Sequence, residues 1–109
     1  MSTVVDAYVA AVHARDPDAL AALFAPDGVL RHPAGTFSTA EEIAGFYRDV
    51  VVAGRARVTV GAVLEGDGIV MAELAATSDL APDAGATHAL DVFRLDPAGR
   101  ITSLEIYYR

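Results

Sequence analysis

Cysteine is absent from the 109-residue chain, and so is lysine, all eight basic residues being arginine. Without cysteine there is no disulfide, no thiolate zinc site, no iron-sulfur ligation and no thiol nucleophile, and cysteine usage says nothing about the redox compartment. Without lysine, Schiff-base and amine-nucleophile chemistry are excluded. No apolar stretch approaches the roughly 20 residues that a membrane helix needs, so no membrane association is expected. A phosphate-cradling loop is missing too: Glu65-Gly66-Asp67-Gly68 joins two strands, opens no helix and has no lysine after it. The surroundings of Ser38, Ser78 and Ser103 lack the pattern of a nucleophile elbow. No two of His13, His32 and His88 stand at metal-ligand spacing, so neither a metal nor a cofactor is expected.

What is present is acidic and apolar. Fifteen carboxylates against eight arginines give a net charge of -7, a sign that repels nucleic acid and anionic lipid. A hydrophobic fraction of 53% with 21% charged residues is enough for the core of one domain, read as residues 1–109. The opening Met-Ser-Thr-Val-Val-Asp carries no basic region and no long apolar run, so a cytoplasmic location is the expectation.

Periodicity divides the chain in two. Val4, Val5, Tyr8, Ala11 and Val12 recur at helical spacing, with Ser2 or Thr3 as N-cap. Asp16-Pro17 restarts a helix expected over Pro17 to Phe24, with Leu20, Leu23 and Phe24 buried. Ala25-Pro26-Asp27-Gly28 reads as a turn and Val29 to His32 as a short strand broken by Pro33 and Gly35. Ser38 and Thr39 precede Glu41 and Glu42 at capping-box spacing, which predicts a third helix presenting Ile43, Phe46, Tyr47 and Val50 and ended by Gly54.

Beyond it the period drops to two, predicting strands at Arg55–Leu64, Gly68–Thr77, Ala86–Leu95 and Arg100–Tyr108. The short connections favour an antiparallel meander, and three amphipathic helices suffice to cover one face of it. The expected fold class is therefore α+β, a cone-shaped curved antiparallel sheet with three N-terminal helices over its concave face, enclosing one apolar pocket for a small hydrophobic ligand. In the penultimate strand His88, Leu90 and Val92 alternate with Ala89, Asp91 and Phe93, so both faces are partly apolar and a homodimer is expected.

Four segments carry a family resemblance: Tyr8–Val12 with Asp16–Leu20, Val29–Gly35, Gly45–Arg48 and Leu90–Ile101. In order and spacing they resemble the nuclear-transport-factor-2-like superfamily over nearly the whole chain, and the bacterial ketosteroid isomerases most of all. The resemblance implies a cofactor-independent enzyme that moves a proton next to the carbonyl of a hydrophobic, steroid- or polyketide-like substrate. A SnoaL-like polyketide cyclase and a non-catalytic ligand-binding or dimerisation module are the alternatives, because this superfamily hosts several functions.

Tyr8 matches the family's tyrosine donor to the developing oxyanion; on its own it also reads as a packing tyrosine with its hydroxyl at the rim. Asp91 matches the second donor. Among Ala89, Leu90, Val92 and Phe93 a carboxyl should have a raised pKa and donate when neutral, unless it is an edge residue paired with arginine. His32 stands where the family carries its aspartate base, before Pro33, and a neutral imidazole can accept a proton there or merely hydrogen-bond. The resemblance extends to Tyr47 and Tyr108 as pocket aromatics; Phe24, Phe93, Leu104 and Ile106 complete the expected pocket wall, which core packing explains equally well. Glu73 is a spare carboxylate that competes with His32 as base if it faces the pocket.

Overall fold

The computed structural model describes residues 3–109, so Ser2 lies outside the described residues and Thr3 already belongs to the first helix. Helix α1 (Thr3–His13) buries Val4, Val5, Tyr8, Ala11 and Val12. In α2 (Pro17–Ala22) the Asp16 carboxylate accepts from the Ala19 amide at 3.0 Å, satisfying one of the free N–H groups of the first turn. The same device opens α3 (Ala40–Phe46): Thr39 Oγ1 accepts from the Glu42 amide, while Glu42 Oε1 accepts from the Ser38 amide, both at 3.0 Å. The helix does not run on as an α-helix to Gly54. From Tyr47 to Val52 it widens into a π-helical segment, a form that recurs at functional sites.

Six strands make one open, curved sheet in the order β2-β1-β6-β5-β4-β3. They are β1 (Phe24–His32), β2 (Gly35–Phe37), β3 (Ala56–Gly66), β4 (Ile69–Ser78), β5 (Thr87–Leu95) and β6 (Ile101–Tyr108). The last four form the expected antiparallel meander. Strand β1 joins it parallel to β6, and the short β2 folds back antiparallel on β1. Phe24 therefore opens a strand rather than closing α2, and Pro26-Asp27-Gly28 forms an irregularity inside β1 rather than a free turn. Glycine is required there: a Cβ on Gly28 would lie 2.7 Å from the Ile101 carbonyl oxygen.

Alternation along the meander separates two environments. Val70, Ala72, Leu74, Asp91, Phe93 and Leu104 are buried beneath the helices, whereas Leu64, Met71, Leu90 and Tyr107 stay exposed. Each fully buried Leu or Phe of the first set contributes about 1.5–3 kcal/mol of transfer free energy. The sheet therefore has one packed face and one half-apolar open face. No helix among the described residues is long and apolar enough to cross a membrane.

Candidate active site

Between α1, the π-helical segment and the concave face of β3 to β6 lies a cavity of about 90 Å3. Tyr8, His32, Phe46, Asp91, Ile106 and Tyr108 border it, together with Val12, Val50, Val51, Ala56, Val58, Ala76 and Thr87. All three residues singled out for chemistry thus meet at one cavity. Of the six wall candidates, Ile106 and Tyr108 border it. Tyr47 and Phe93 stand behind Tyr8, with ring centroids 5.9 and 5.4 Å from its own. Leu104 is wholly core, and Phe24 belongs elsewhere, facing a separate groove between α2 and α3 because it starts β1. Phe46 and Val50 are wall residues that the helical pattern marked only as an apolar face, and Val51 is one that it did not mark.

Asp91 is 2% exposed and accepts no hydrogen bond from any described residue. Burial alone drives its carboxyl from 3.8 up to about 7. Its neighbours are phenols: ionised Asp91 acts on Tyr8, Tyr47 and Tyr108, in each case opposing a second negative charge. Tyr8 and Tyr47 share a hydrogen bond of 2.9 Å between their hydroxyls, and burial holds both far from ionisation. Tyr47 is the deeper of the two and does not border the cavity. When Tyr47 donates to Tyr8, the Tyr8 proton is left to point inward.

His32 is differently engaged from what a base requires. Its Nδ1 accepts from the Ala34 amide at 2.9 Å, which assigns the imidazole proton to Nε2, and Nε2 lies 2.7 Å from the Tyr108 hydroxyl. A neutral His32 so placed donates to Tyr108 and has no free lone pair for a substrate proton. Protonation at Nδ1 would break the bond from Ala34, and burial lowers the pKa of the ring further. In this arrangement both ring nitrogens of His32 are engaged, and the Tyr108 O–H is free to point into the cavity.

Glu73 does not face the cavity. It lies on the open face of β4, where its Oε1 accepts from the Ala62 amide at 3.2 Å. That amide belongs to a bulge in β3, between Val60 and Val63, which leaves it outside the ladder. His13 is also structural, its Nε2 accepting from the Val58 amide. Among the described residues no group of three His, Asp or Glu side chains is arranged to hold a metal ion.

An open sheet curved over one small polar-tipped cavity defines a protein of the nuclear-transport-factor-2-like, ketosteroid-isomerase-like fold. The chain belongs to the SnoaL-like domain family, whose model matches residues 5–104. A Catenulispora acidiphila protein with the ketosteroid isomerase-like fold, solved in complex with trimethylamine, is 28% identical with a TM-score of 0.84, over 99% of this chain and 86% of that one. An epoxide hydrolase/cyclase-like enzyme of pyran ring formation in the polyether salinomycin is 25% identical with a TM-score of 0.79, over 97% and 88%. A candidate polyketide cyclase from Sinorhizobium meliloti is 20% identical with a TM-score of 0.84, over 97% and 94%. No curated protein sequence matches the chain.

Proposed function

We propose that this protein is a cofactor-independent acid–base enzyme that moves a proton at the carbon next to a carbonyl, with Asp91 as the group that takes and returns it. The observation that carries the reading is a buried carboxyl with no hydrogen bond, with a pKa pushed to about 7 by its apolar setting, at the wall of a cavity bordered by two phenol hydroxyls. A carboxylate so poised is a strong base for its size, and its pKa matches neutral working pH. Tyr8 and Tyr108 donate to the enolate oxygen as charge develops there; Tyr47 and His32 hold those two hydroxyls in place. The same parts serve a double-bond isomerisation and an aldol-type ring closure. A cavity of about 90 Å3 is well below the roughly 300 Å3 at which pockets for drug-sized ligands begin, so one ring or the reacting end of a longer molecule fits, and a fused polycycle does not.

Hydrogen–deuterium exchange tests this directly. In heavy water, cyclohex-2-enone should exchange its carbonyl-adjacent protons faster with protein than with buffer, the rate rising with pH through about 7 as Asp91 ionises. A rate that falls through the same range assigns Asp91 the neutral donor role and sinks the base assignment; no exchange above buffer sinks the enzyme.

A second reading, capture of a small ammonium without turnover, is favoured by the aromatic rings around a lone carboxyl and by the trimethylamine held by the Catenulispora acidiphila protein. Tight trimethylamine binding that lowers the Asp91 pKa, together with absent exchange, would select it. The exposed Leu64, Met71, Leu90 and Tyr107 further support pairing of two copies through their open sheet faces. Sedimentation equilibrium giving 11.4 kDa at every concentration would exclude that pairing.

A further inference from the structure

Three of the eight arginines of this acidic chain, Arg15, Arg55 and Arg57, gather around Asp79, beside the end of β3 that borders the cavity at Ala56. Arg57 Nε lies 2.6 Å from Asp79 Oδ1, and Arg15 Nη2 lies 3.5 Å from Asp79 Oδ2. Arg55 adds a third positive charge near the same carboxylate, whose pKa is lowered chiefly by the hydrogen bond from Arg57, with smaller help from Arg15 and Arg55. One carboxylate faces three guanidinium groups, and among the described residues the Arg55 side chain makes no hydrogen bond. Positive charge outnumbers negative around Asp79 in a protein of net charge -7.

The backbone there is unusual in the same way twice. Arg15 and Arg55 are the two non-glycine residues with positive φ among those described, at 58° and 51°. Arg15 closes α1 and Arg55 follows the π-helical segment, places where the left-handed conformation ordinarily selects glycine or asparagine. At Arg15 that conformation caps α1, the Arg15 amide donating to the Val12 carbonyl at 3.1 Å and the Asp16 amide to the Ala11 carbonyl at 3.2 Å, and so fixes the direction in which the side chain leaves the helix.

The arginine cleft adjoins the cavity. Arg15 Nη1 donates to the Ala56 carbonyl at 2.9 Å, and Ala56 borders the cavity, as does Val51, next to the Val52 that borders the arginine cleft. On β5 the cavity runs from Asp91 to Thr87, four residues and so roughly 13 Å. Between the two ends the wall is Val50, Val51, Val58 and Ala76, all apolar.

We infer that this arginine cluster is an anion subsite that selects substrates whose carbonyl end is joined, through an apolar linker of roughly 13 Å, to a carboxylate or phosphate. The inference rests on the Asp91 reading for the carbonyl end and adds the charged end. It explains how a cavity too small for a fused polycycle would still take a long substrate: the molecule lies along it and ends outside, in the cleft lined by Arg15 and Arg55.

The test uses four probes with the full chain: cyclohexenone itself, and cyclohexenone bearing a six-carbon tail that ends in carboxylate, phosphate monoester or methyl ester. At low salt the carboxylate or the phosphate should bind about five- to tenfold tighter than the ester of equal length, whichever anion is preferred identifying the natural group. That preference should disappear in about 0.5 M salt, because it acts between exposed charges. In Arg55→Asn, whose side chain tolerates a φ near 51°, the anion-to-ester ratio should fall toward one, and Arg55→Lys should keep most of it. Equal binding of anionic and ester probes, a preference that survives Arg55→Asn, or no binding of any tailed probe overturns the subsite. Exchange of untailed cyclohexenone is read separately, so its absence counts against the Asp91 reading and not against the anion preference.

Discussion

Asp91 and Glu73 are carboxyls on adjacent strands, next to a common pair of positions: Asp91 stands opposite Ala72, and Glu73 opposite Leu90. They point to opposite faces of the sheet and become different chemical groups. Glu73 stands in water and holds a stray amide of the β3 bulge. Asp91 is 2% exposed beneath α1, has no hydrogen-bond donor among the described residues, and is moved toward neutrality by burial. The difference is one of parity along a strand. Shifting either residue by one position would exchange their environments, because the side-chain period of a strand is two. The ionisation of a carboxyl here is thus set by the face of the sheet on which it lies.

The sharpest way to break that comparison is Asp91→Asn. The amide keeps the shape and cannot take a proton, so exchange should drop by roughly a hundredfold or more, the usual contribution of a general base. Stability should move the other way at alkaline pH. The folded protein keeps the Asp91 proton up to about pH 7, while the unfolded chain releases it near 3.8, so stability falls as pH rises between those values, by about 4 kcal/mol in all. Asp91→Asn removes that slope. Thermal melts at pH 5 and pH 8 should show the wild type losing stability across the range and the variant nearly flat; parallel curves would mean that the carboxyl is not the strained group.

Next in size is the contrast between the two faces in packing. Leu104→Ala, on the fully buried side of β6, should cost about 2–5 kcal/mol in urea unfolding, through lost transfer energy and the void left behind. Leu64→Ala, 69% exposed on the other side, should stay within about 0.5 kcal/mol. A large loss at Leu64 would place a second copy of the chain over the open face.

How much of this was legible in the sequence follows from the range over which each signal acts. The meander and its two faces could be read from alternation alone, and Asp91 stood out because its neighbours in the strand are apolar. The pairing of β1 with β6 could not be read, since parallel partners more than seventy residues apart leave no local pattern. Nor could the inner start of β1: Pro26, Asp27 and Gly28 are turn residues by chemistry, and only the close approach of Ile101 shows why a strand contains them. At the site, the convergence of Tyr8, His32 and Asp91 was expected from resemblance. The protonation of His32 was not, because the Ala34 amide and Tyr108 that fix it are a tight local turn and a residue 76 positions away.

A smaller effect separates the two phenols. Tyr8→Phe removes an inward donor and leaves the wholly buried Tyr47 hydroxyl without its partner. It should cost about 1–3 kcal/mol in stability and slow exchange, with the pH at half-maximal rate staying near 7, because burial and not the neutral Tyr8 phenol raises the Asp91 pKa. Tyr47→Phe should match it in stability and spare more of the rate, because its hydroxyl never reaches the cavity. Equal losses of rate in the two variants would show that the pair acts as one unit rather than as donor and support.

The smallest expected effect is at Glu73, and it is the one that tests the parity argument most directly. Glu73→Gln removes a negative charge and keeps the oxygen that accepts from the Ala62 amide, so the bulge in β3 should survive. Exposed and unpaired with any arginine, the charge has little to contribute, and stability should change by no more than about 0.5 kcal/mol. The exchange rate and its rise through about pH 7 should both be those of the wild type, since the strand itself stands between this carboxylate and the cavity. A rate that collapses in Glu73→Gln while surviving in Asp91→Asn would exchange the roles of the two carboxyls, and the chemistry would then belong to the open groove lined by Glu73, His88 and Tyr107 rather than to the cavity beneath the helices.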